Sequence, residues 1–371
     1  MKKARIGVIG AGWWATTAHI PAIKSHPGAE LVAVQSREQA KADAIARDFG
    51  AKHACTALED LLAIPDLDGV IVSTTPNVHH AQAKAALERG FHVLVEKPMT
   101  FTVAEAQELV ELAAQKNLQL LISCPWHFTA HGIEAKRLIQ SGALGEIKMI
   151  SVLMTNPIDQ LLRGVNTTPT HGMDNVYVEP CPGSYSDPSI AGGGQIYCQV
   201  SHAAAYLAFL TGLRAAEVFA RFDRDGSPND IYNALTITLE NGALISLAST
   251  AATPLSERNY EIRIFGAKAI LQLELWRGTM TLIDSAGHRT AFPPLAQDAV
   301  YPSQAPALNF VDVILGKNPN GSPGDLGLAA MEIIEAACES AQTNRTEKIR
   351  EIKKAQTAKI GLPKTAVARG A

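Results

Sequence analysis

Residues 5–15 read RIGVIGAGWWA. A short apolar strand that runs into Gly10-Ala11-Gly12 and then directly into a helical pattern leaves the backbone few options. Gly10 permits the tight turn, Gly12 lets a phosphate approach the main chain, and Ala15 is small enough for helix to pack on strand. The N–H groups of the helix start then face a diphosphate. Gly10, Gly12, Trp13 and Trp14 are therefore predicted to hold a dinucleotide in the first turn of a doubly wound sheet.

The following hundred residues repeat the alternation. Strands are predicted at 5–9, 31–35, 70–73, 92–95 and 119–123, with helices at 15–25, 38–49, 80–89 and 103–116. Strands that are apolar nearly throughout and separated by helices make a parallel sheet covered on both faces. The second half changes period. In NALTITLENGALISLAS (233–249), Leu235, Ile237 and Leu239 alternate with Thr236, Thr238 and Glu240 before an Asn241-Gly242 turn, the pattern of a half-buried hairpin. Strand-like runs continue at 260–265, 270–275 and 279–283. The expected fold is α/β: a dinucleotide-binding domain over 1–122, then an α+β domain over 123–355 with an open, mostly antiparallel sheet. A helix at 324–342 is free to pack back on the first domain, and 356–371 reads as a tail.

Composition narrows the partners. A formal charge of -3 over 371 residues supplies no cationic field for nucleic acid or acidic lipid, which points to a small molecule. The five cysteines are scattered without a CxxC pair, arguing against a disulfide framework or thiolate zinc site and fitting a reducing cytoplasm. No apolar run reaches the roughly 18 to 20 residues that span a bilayer. MKKARIGVIGAGWWA has the outline of a signal peptide, but cleavage would destroy the glycine fingerprint.

Further motifs fall at strand ends, where open α/β sheets bind ligands. After the second strand, Gln35-Ser36-Arg37 offers no carboxylate before Glu38. Ser36 and Arg37 suit a ribose 2′-phosphate, which favours NADP over NAD and leaves both open. Thr75, Pro76, Asn77 and His80 are predicted to border the cofactor, as are Glu96 and Lys97 of VLVEKP, where the proline favours a fixed and even cis bond. In GGGQIYCQVSH (192–202), helical spacing puts Gln195, Cys198, Gln199 and His202 on one face, as a reaction centre or an ordinary polar stripe. The proline-rich segment 156–191, with His171, Asp174 and Tyr185, reads as a pocket wall or subunit contact. His127 and His131, without acidic or thiol company, make a weak metal case, and no metal is expected.

GVIGAGWW, STTPNVHH, VLVEKP, SGALGEI (141–147), the GGG…H segment and GLAAMEIIEAACESA resemble, in order, the motifs of the glucose-fructose oxidoreductase / inositol dehydrogenase (Gfo/Idh/MocA) family. The resemblance implies an N-terminal Rossmann domain, a C-terminal domain with an open sheet, and a cofactor cleft between them. It also implies hydride transfer at a secondary hydroxyl or ketone of a sugar, glycoside or cyclitol, and a homodimer or homotetramer formed through the open sheet. Lys97 matches the family's lysine beside nicotinamide and substrate, and His202 matches its histidine across the reacting carbon. Cys198 stands where relatives often carry aspartate. Trp126 and His127 fall where the family contacts substrate.

Oxidising an alcohol requires a group that takes the hydroxyl proton. Neutral His202 suits that role, with Lys97 stabilising alkoxide charge. Cys198 is expected to pack as a small apolar group, leaving Gln195 or Gln199, with Tyr185, to meet sugar hydroxyls. Two other readings stay open: a redox-neutral glycosidase or epimerase using tightly held NAD, and a noncatalytic dinucleotide-binding regulator.

Overall fold

The computed structural model describes residues 3–165, 176–181 and 183–349. The expected tail, His171 and Asp174 lie outside them. The described residues form two sheets.

The first contains β1 (Ala4–Ile9), β2 (Ala29–Gln35), β3 (His53–Cys55), β4 (Gly69–Val72), β5 (His92–Val95) and β6 (Leu120–Ile122), ordered β3-β2-β1-β4-β5-β6 and parallel throughout. Helices α1 (Ile20–Ser25), α2 (Gln39–Phe49), α3 (Leu58–Leu62), α4 (His79–Glu88) and α5 (Val103–Gln115) connect its strands. The continuous helix expected at 15–25 is instead a π-turn, Ala15–His19, followed by α1. Pro21 lies in the first turn of α1 and has no N–H for the ladder, so regular pairing cannot run through it. Strand β3 was not anticipated because it has only three residues, of which His53 is exposed.

After α6 (Ala130–Gln140) the chain enters the second sheet through β7 (Ile147–Thr155). The short turns α7 (Asp159–Leu162), α8 (Gly183–Ser186) and α9 (Pro188–Ala191) precede α10 (Ser201–Thr211). Strands β8 (Ala215–Asp223), β9 (Tyr232–Leu239), β10 (Leu244–Thr250), β11 (Asn259–Gly266), β12 (Ala269–Glu274), β13 (Thr279–Asp284) and β14 (Arg289–Ala291) follow. Helices α11 (Ala305–Ile314) and α12 (Gly324–Thr343) and strand β15 (Glu347–Lys348) complete the described chain. The order is β14-β13-β12-β11-β7-β10-β9-β8-β15, antiparallel except where β7 runs parallel to β10. The hairpin turns at Asn241-Gly242 as expected, with Gly242 at φ +82°.

The buried core is continuous between the sheets: Val95, Ile122, Trp126, Ile150, Val200, Ile237, Tyr260 and Ile334 belong to one cluster. The other face of the first sheet is covered partly by α11, whose Ala307, Phe310 and Val311 are fully buried with Ile6, Val8 and Val34. Gly69 leaves room for this helix, since a Cβ there would lie 2.8 Å from the Phe310 ring. Helix α12 reaches the first sheet as well: Gly327 fits against Met99 and Ile122, and Val103 N–H donates to Glu335 at 2.7 Å.

The helical segment leading into α10 is pinned at its start by Asp230. One carboxylate oxygen accepts from Gly194 N–H (2.9 Å), and the other from Ile196 N–H (2.8 Å) and Asn233 Nδ2 (2.8 Å). Three donors would lose their acceptor in Asp230→Ala, two of them amides at a helix start where a negative charge is favourable. Chemical denaturation should show a loss of about 2–3 kcal/mol; a loss below half of that would mean that the cap adds little.

Candidate active site

The carboxyl ends of β1, β4 and β5 meet at the fingerprint loop. Gly10 has φ +79°, and a Cβ there would lie 2.8 Å from the Thr74 nitrogen. A Cβ at Gly12 would meet nothing nearer than the Gly10 oxygen at 3.9 Å. The first glycine is thus fixed by packing, and the second leaves open space in front of the backbone, where a diphosphate can approach. Gln35, which sequence reasoning passed over, secures this loop: its backbone oxygen accepts from Ala11 N–H (2.8 Å), its Oε1 accepts from Gly10 N–H (3.1 Å), and its Nε2 donates to Thr56 O (2.7 Å). Ser36 is buried at the end of β2, with Arg37 exposed beside it. These features fit a nicotinamide dinucleotide.

In the loop after β4, Thr75 Oγ1 donates to Asn77 Oδ1 (2.7 Å), and the turn Pro76–Val78 packs against α9. His80 does not join this cluster. Its ring pairs at 2.7 Å with Glu108 of α5, because one position along a helix changes the side it faces. The inward histidine is His79, 1% exposed, with ring nitrogens 2.9 Å from Pro98 O and 3.1 Å from Thr74 O. Burial lowers its pKa.

At the end of β5, Glu96 is buried and one of its oxygens lies 2.8 Å from His19 Nε2. Burial alone would raise the Glu96 carboxyl; the hydrogen bond and charge of His19, with the charge of Lys97, reverse this and hold it below its ordinary value. The Lys97-Pro98 bond is cis. Lys97 Nζ donates to the backbone oxygen of Cys198 at 3.0 Å.

Cys198 lies in a π-turn, Ile196–Val200, which changes the expected helix face. A π-turn takes more residues per turn than an α-helix, so the side chains at 195, 198, 199 and 202 do not form one stripe. Gln195 is fully buried and points into the second sheet, where Nε2 donates to Ser249 Oγ (2.7 Å), Thr250 O (3.1 Å) and Asn156 Oδ1 (3.2 Å). Its amide nitrogen thus braces the second sheet. Gly194 is small to admit residues 229 and 230, a Cβ there lying 2.8 Å from Asn229 Cβ. Cys198 is partly exposed and packs with Tyr185 on a small cluster containing Ile158 and Leu162; Gln199 Nε2 lies 3.7 Å from its sulfur.

His202 is 4% exposed. Its ring meets Trp126 edge-on at 5.2 Å between centroids, and its Nδ1 has no hydrogen-bond partner among the described residues. Burial foremost, then the charges of Lys97 and His127, lower its pKa well below the ordinary value, so it is neutral near pH 7. Trp126 is itself 2% exposed and packs edge-on against Tyr260, Trp276 and Tyr301. It supports the site from within the core and does not offer a ring face to a sugar. His127 is also a core residue, stacked on Phe209 with Nδ1 2.8 Å from Ser322 Oγ, and burial pushes its pKa down to about 3.

Two rings close the front of this space. Tyr185 meets Trp13 at 6.5 Å, and Tyr301 meets Trp14 at 6.3 Å. Burial foremost, with the charge of Glu96 contributing, raises both phenols. Tyr301 was missed in the sequence because it sits in an irregular stretch with no motif. Among the described residues, no group of three or more His, Cys, Asp or Glu could hold a metal ion, and no helix is long and apolar enough to cross a membrane.

Residues 4–123 match the family model described as an oxidoreductase family with an NAD-binding Rossmann fold, and residues 133–272 match the GFO/IDH/MocA C-terminal domain. An uncharacterized oxidoreductase of Synechocystis is 30% identical over 280 residues, covering 72% of this chain and 71% of the relative. A dTDP-3,4-didehydro-2,6-dideoxy-alpha-D-glucose 3-reductase of Streptomyces antibioticus is 37% identical over 156 residues, 42% of this chain and 47% of that enzyme. Among solved structures, an oxidoreductase domain protein from Kribbella flavida superposes with a TM-score of 0.80 at 22% identity, covering 95% of this chain and all of that one. The chain belongs to the Gfo/Idh/MocA family of NAD-binding oxidoreductases.

Proposed function

We propose that this oxidoreductase transfers hydride between nicotinamide and a secondary hydroxyl or ketone of a sugar, glycoside or cyclitol. The observation that carries the reading is the meeting of Lys97, at the end of β5, with the Cys198 carbonyl one helical turn before His202. With the diphosphate held at the fingerprint loop, the nicotinamide of a bound dinucleotide would supply the hydride acceptor or donor. The chain's own residues manage the proton and the charge. Neutral His202 accepts the hydroxyl proton, and the Lys97 ammonium stabilises the oxygen as it becomes alkoxide. Tyr185 and Tyr301, with Trp13 and Trp14, exclude water from the reacting carbon. Ser36 and Arg37 favour NADP over NAD. The sugar reductase among the relatives supports a carbohydrate substrate.

A panel of sugars and polyols followed at 340 nm with NAD and with NADP should identify a turned-over substrate and a cofactor preference. Lys97→Met and His202→Ala should each lower kcat by at least about 100-fold, while cofactor binding persists. Normal turnover in both variants would remove the proposed proton path. No net absorbance change, with dinucleotide retained through purification, would favour redox-neutral chemistry or a regulator.

Cys198 gives His202 no negative partner, so the imidazolium is disfavoured and the base remains competent into acidic solution. Activity that needs neutral His202 falls only as pH drops through its lowered pKa. In Cys198→Asp a carboxylate should raise that pKa, moving the acid limb of the kcat/KM profile to higher pH. An unmoved limb would show that the side chain at 198 does not reach the base.

The outer face of the second sheet carries Met149, Leu153, Tyr232 and Leu244, each at least 40% exposed. In the β7–β10 register Leu244 lies beside Met149 and Ala248 beside Leu153, with Ser246 beside Ser151 between the two pairs; exposed apolar side chains gathered on one sheet face suit a homo-oligomeric contact. Sedimentation velocity should give the mass of two or four chains; a single-chain mass at micromolar concentration would rule this out.

A further inference from the structure

Arg258 lies between the turn Leu255–Glu257 and β11. Its guanidinium carbon sits 3.2 Å from the centroid of the Trp276 ring. The Nε is buried, and neither it nor any other guanidinium nitrogen has a hydrogen-bond or ion-pair partner among the described residues. Other arginines of this chain behave differently: Arg5 pairs with Glu30, Arg163 with Asp159 and Asp225, and Arg214 with Glu332. Burial pulls the Arg258 pKa down to about 10, which still leaves it charged at neutral pH. A half-buried guanidinium stacked on an indole with no carboxylate beside it keeps N–H donors available for an anionic group.

Its position connects it to the candidate active site. Trp276, on which Arg258 stacks, meets Trp126 at 5.1 Å, and Trp126 meets His202 at 5.2 Å. Trp276 also meets Tyr301 at 5.2 Å. Tyr301 in turn meets Trp14 beside the fingerprint loop at 6.3 Å. Trp276, Trp126 and Tyr301 thus form an aromatic cluster that links Arg258 to His202. Stacking fixes the guanidinium plane, which orients its N–H fork for a planar or tetrahedral oxyanion.

We propose that Arg258 anchors a carboxylate or phosphate carried by the substrate, so that the site takes an acidic sugar or polyol, such as an aldonate, uronate or sugar phosphate. This rests on the oxidoreductase reading of the same cleft and narrows it. Lys97 and His202 address the reacting hydroxyl, while Arg258 holds the charged end and sets which carbon is presented to the nicotinamide.

The test compares matched substrates, each neutral sugar or polyol with its carboxylate and its phosphate counterpart, on the wild-type protein and on Arg258→Met and Arg258→Lys. Wild-type kcat/KM should favour one acidic form over its neutral counterpart by about 100-fold. Arg258→Met should remove most of that ratio, chiefly through KM, and Arg258→Lys should restore part of it. Carboxylate and phosphate series separate the two anion sources. Thermal unfolding of ligand-free Arg258→Met should match or exceed wild type, because the substitution removes an uncompensated charge and keeps an apolar stem over Trp276. Equal wild-type use of neutral and acidic forms, or an unaltered ratio in Arg258→Met, would overturn the proposal. If no sugar is turned over, the oxidoreductase reading fails separately, and calorimetry with gluconate, glucuronate and inorganic phosphate decides the anchor. Binding lost in Arg258→Met sustains it, and absence of wild-type binding rejects it.

Discussion

The contact between the Lys97 ammonium and the Cys198 carbonyl joins the two sheets where the chemistry is expected. Lys97 is held by the end of a parallel strand, and Cys198 by a π-turn whose preceding amides are fixed by Asp230. A charged donor bonded to a main-chain oxygen is insensitive to the side chain at that position. The link between the halves therefore does not depend on position 198 holding a thiol.

The parallel sheet was legible because strands buried on both faces must be apolar throughout, as Val93-Leu94-Val95 is. The fingerprint was legible because few residues other than glycine tolerate φ +79° against Thr74. Side-chain direction was not. Periodicity assigned Gln195 to the same face as His202, but a local change from α to π geometry turns it toward Ser249. Of the two adjacent histidines the sequence pointed to His80, whose ring pairs with Glu108, while His79 is the one turned inward. Trp126 and His127 were expected to meet substrate, yet both are buried in the core.

Asp230, Tyr301 and Arg258 left no periodic trace, since each lies in an irregular connection whose partners are distant in sequence. Asp230 reaches back to residues 194–196, and Arg258 forward to Trp276. Such residues become visible only when the long-range pairing of β7 with β11 has set the surrounding geometry. The aromatic cluster makes the same point: Trp126, Trp276 and Tyr301 come from three separate segments and acquire a common role only by packing together.

Helix α11 carries a consequence for how the chain is made. Ile6, Val8 and Val34 form early in synthesis, but Phe310 and Val311, which cover them, emerge some three hundred residues later. A ribosome-bound first half, with α1 and α2 covering their share of that face, would leave the part under α11 open to water until nearly the whole chain has left the tunnel. Evolution could therefore not exchange the nucleotide-binding half as a cassette cut near residue 123: the last part of the sequence travels with the first.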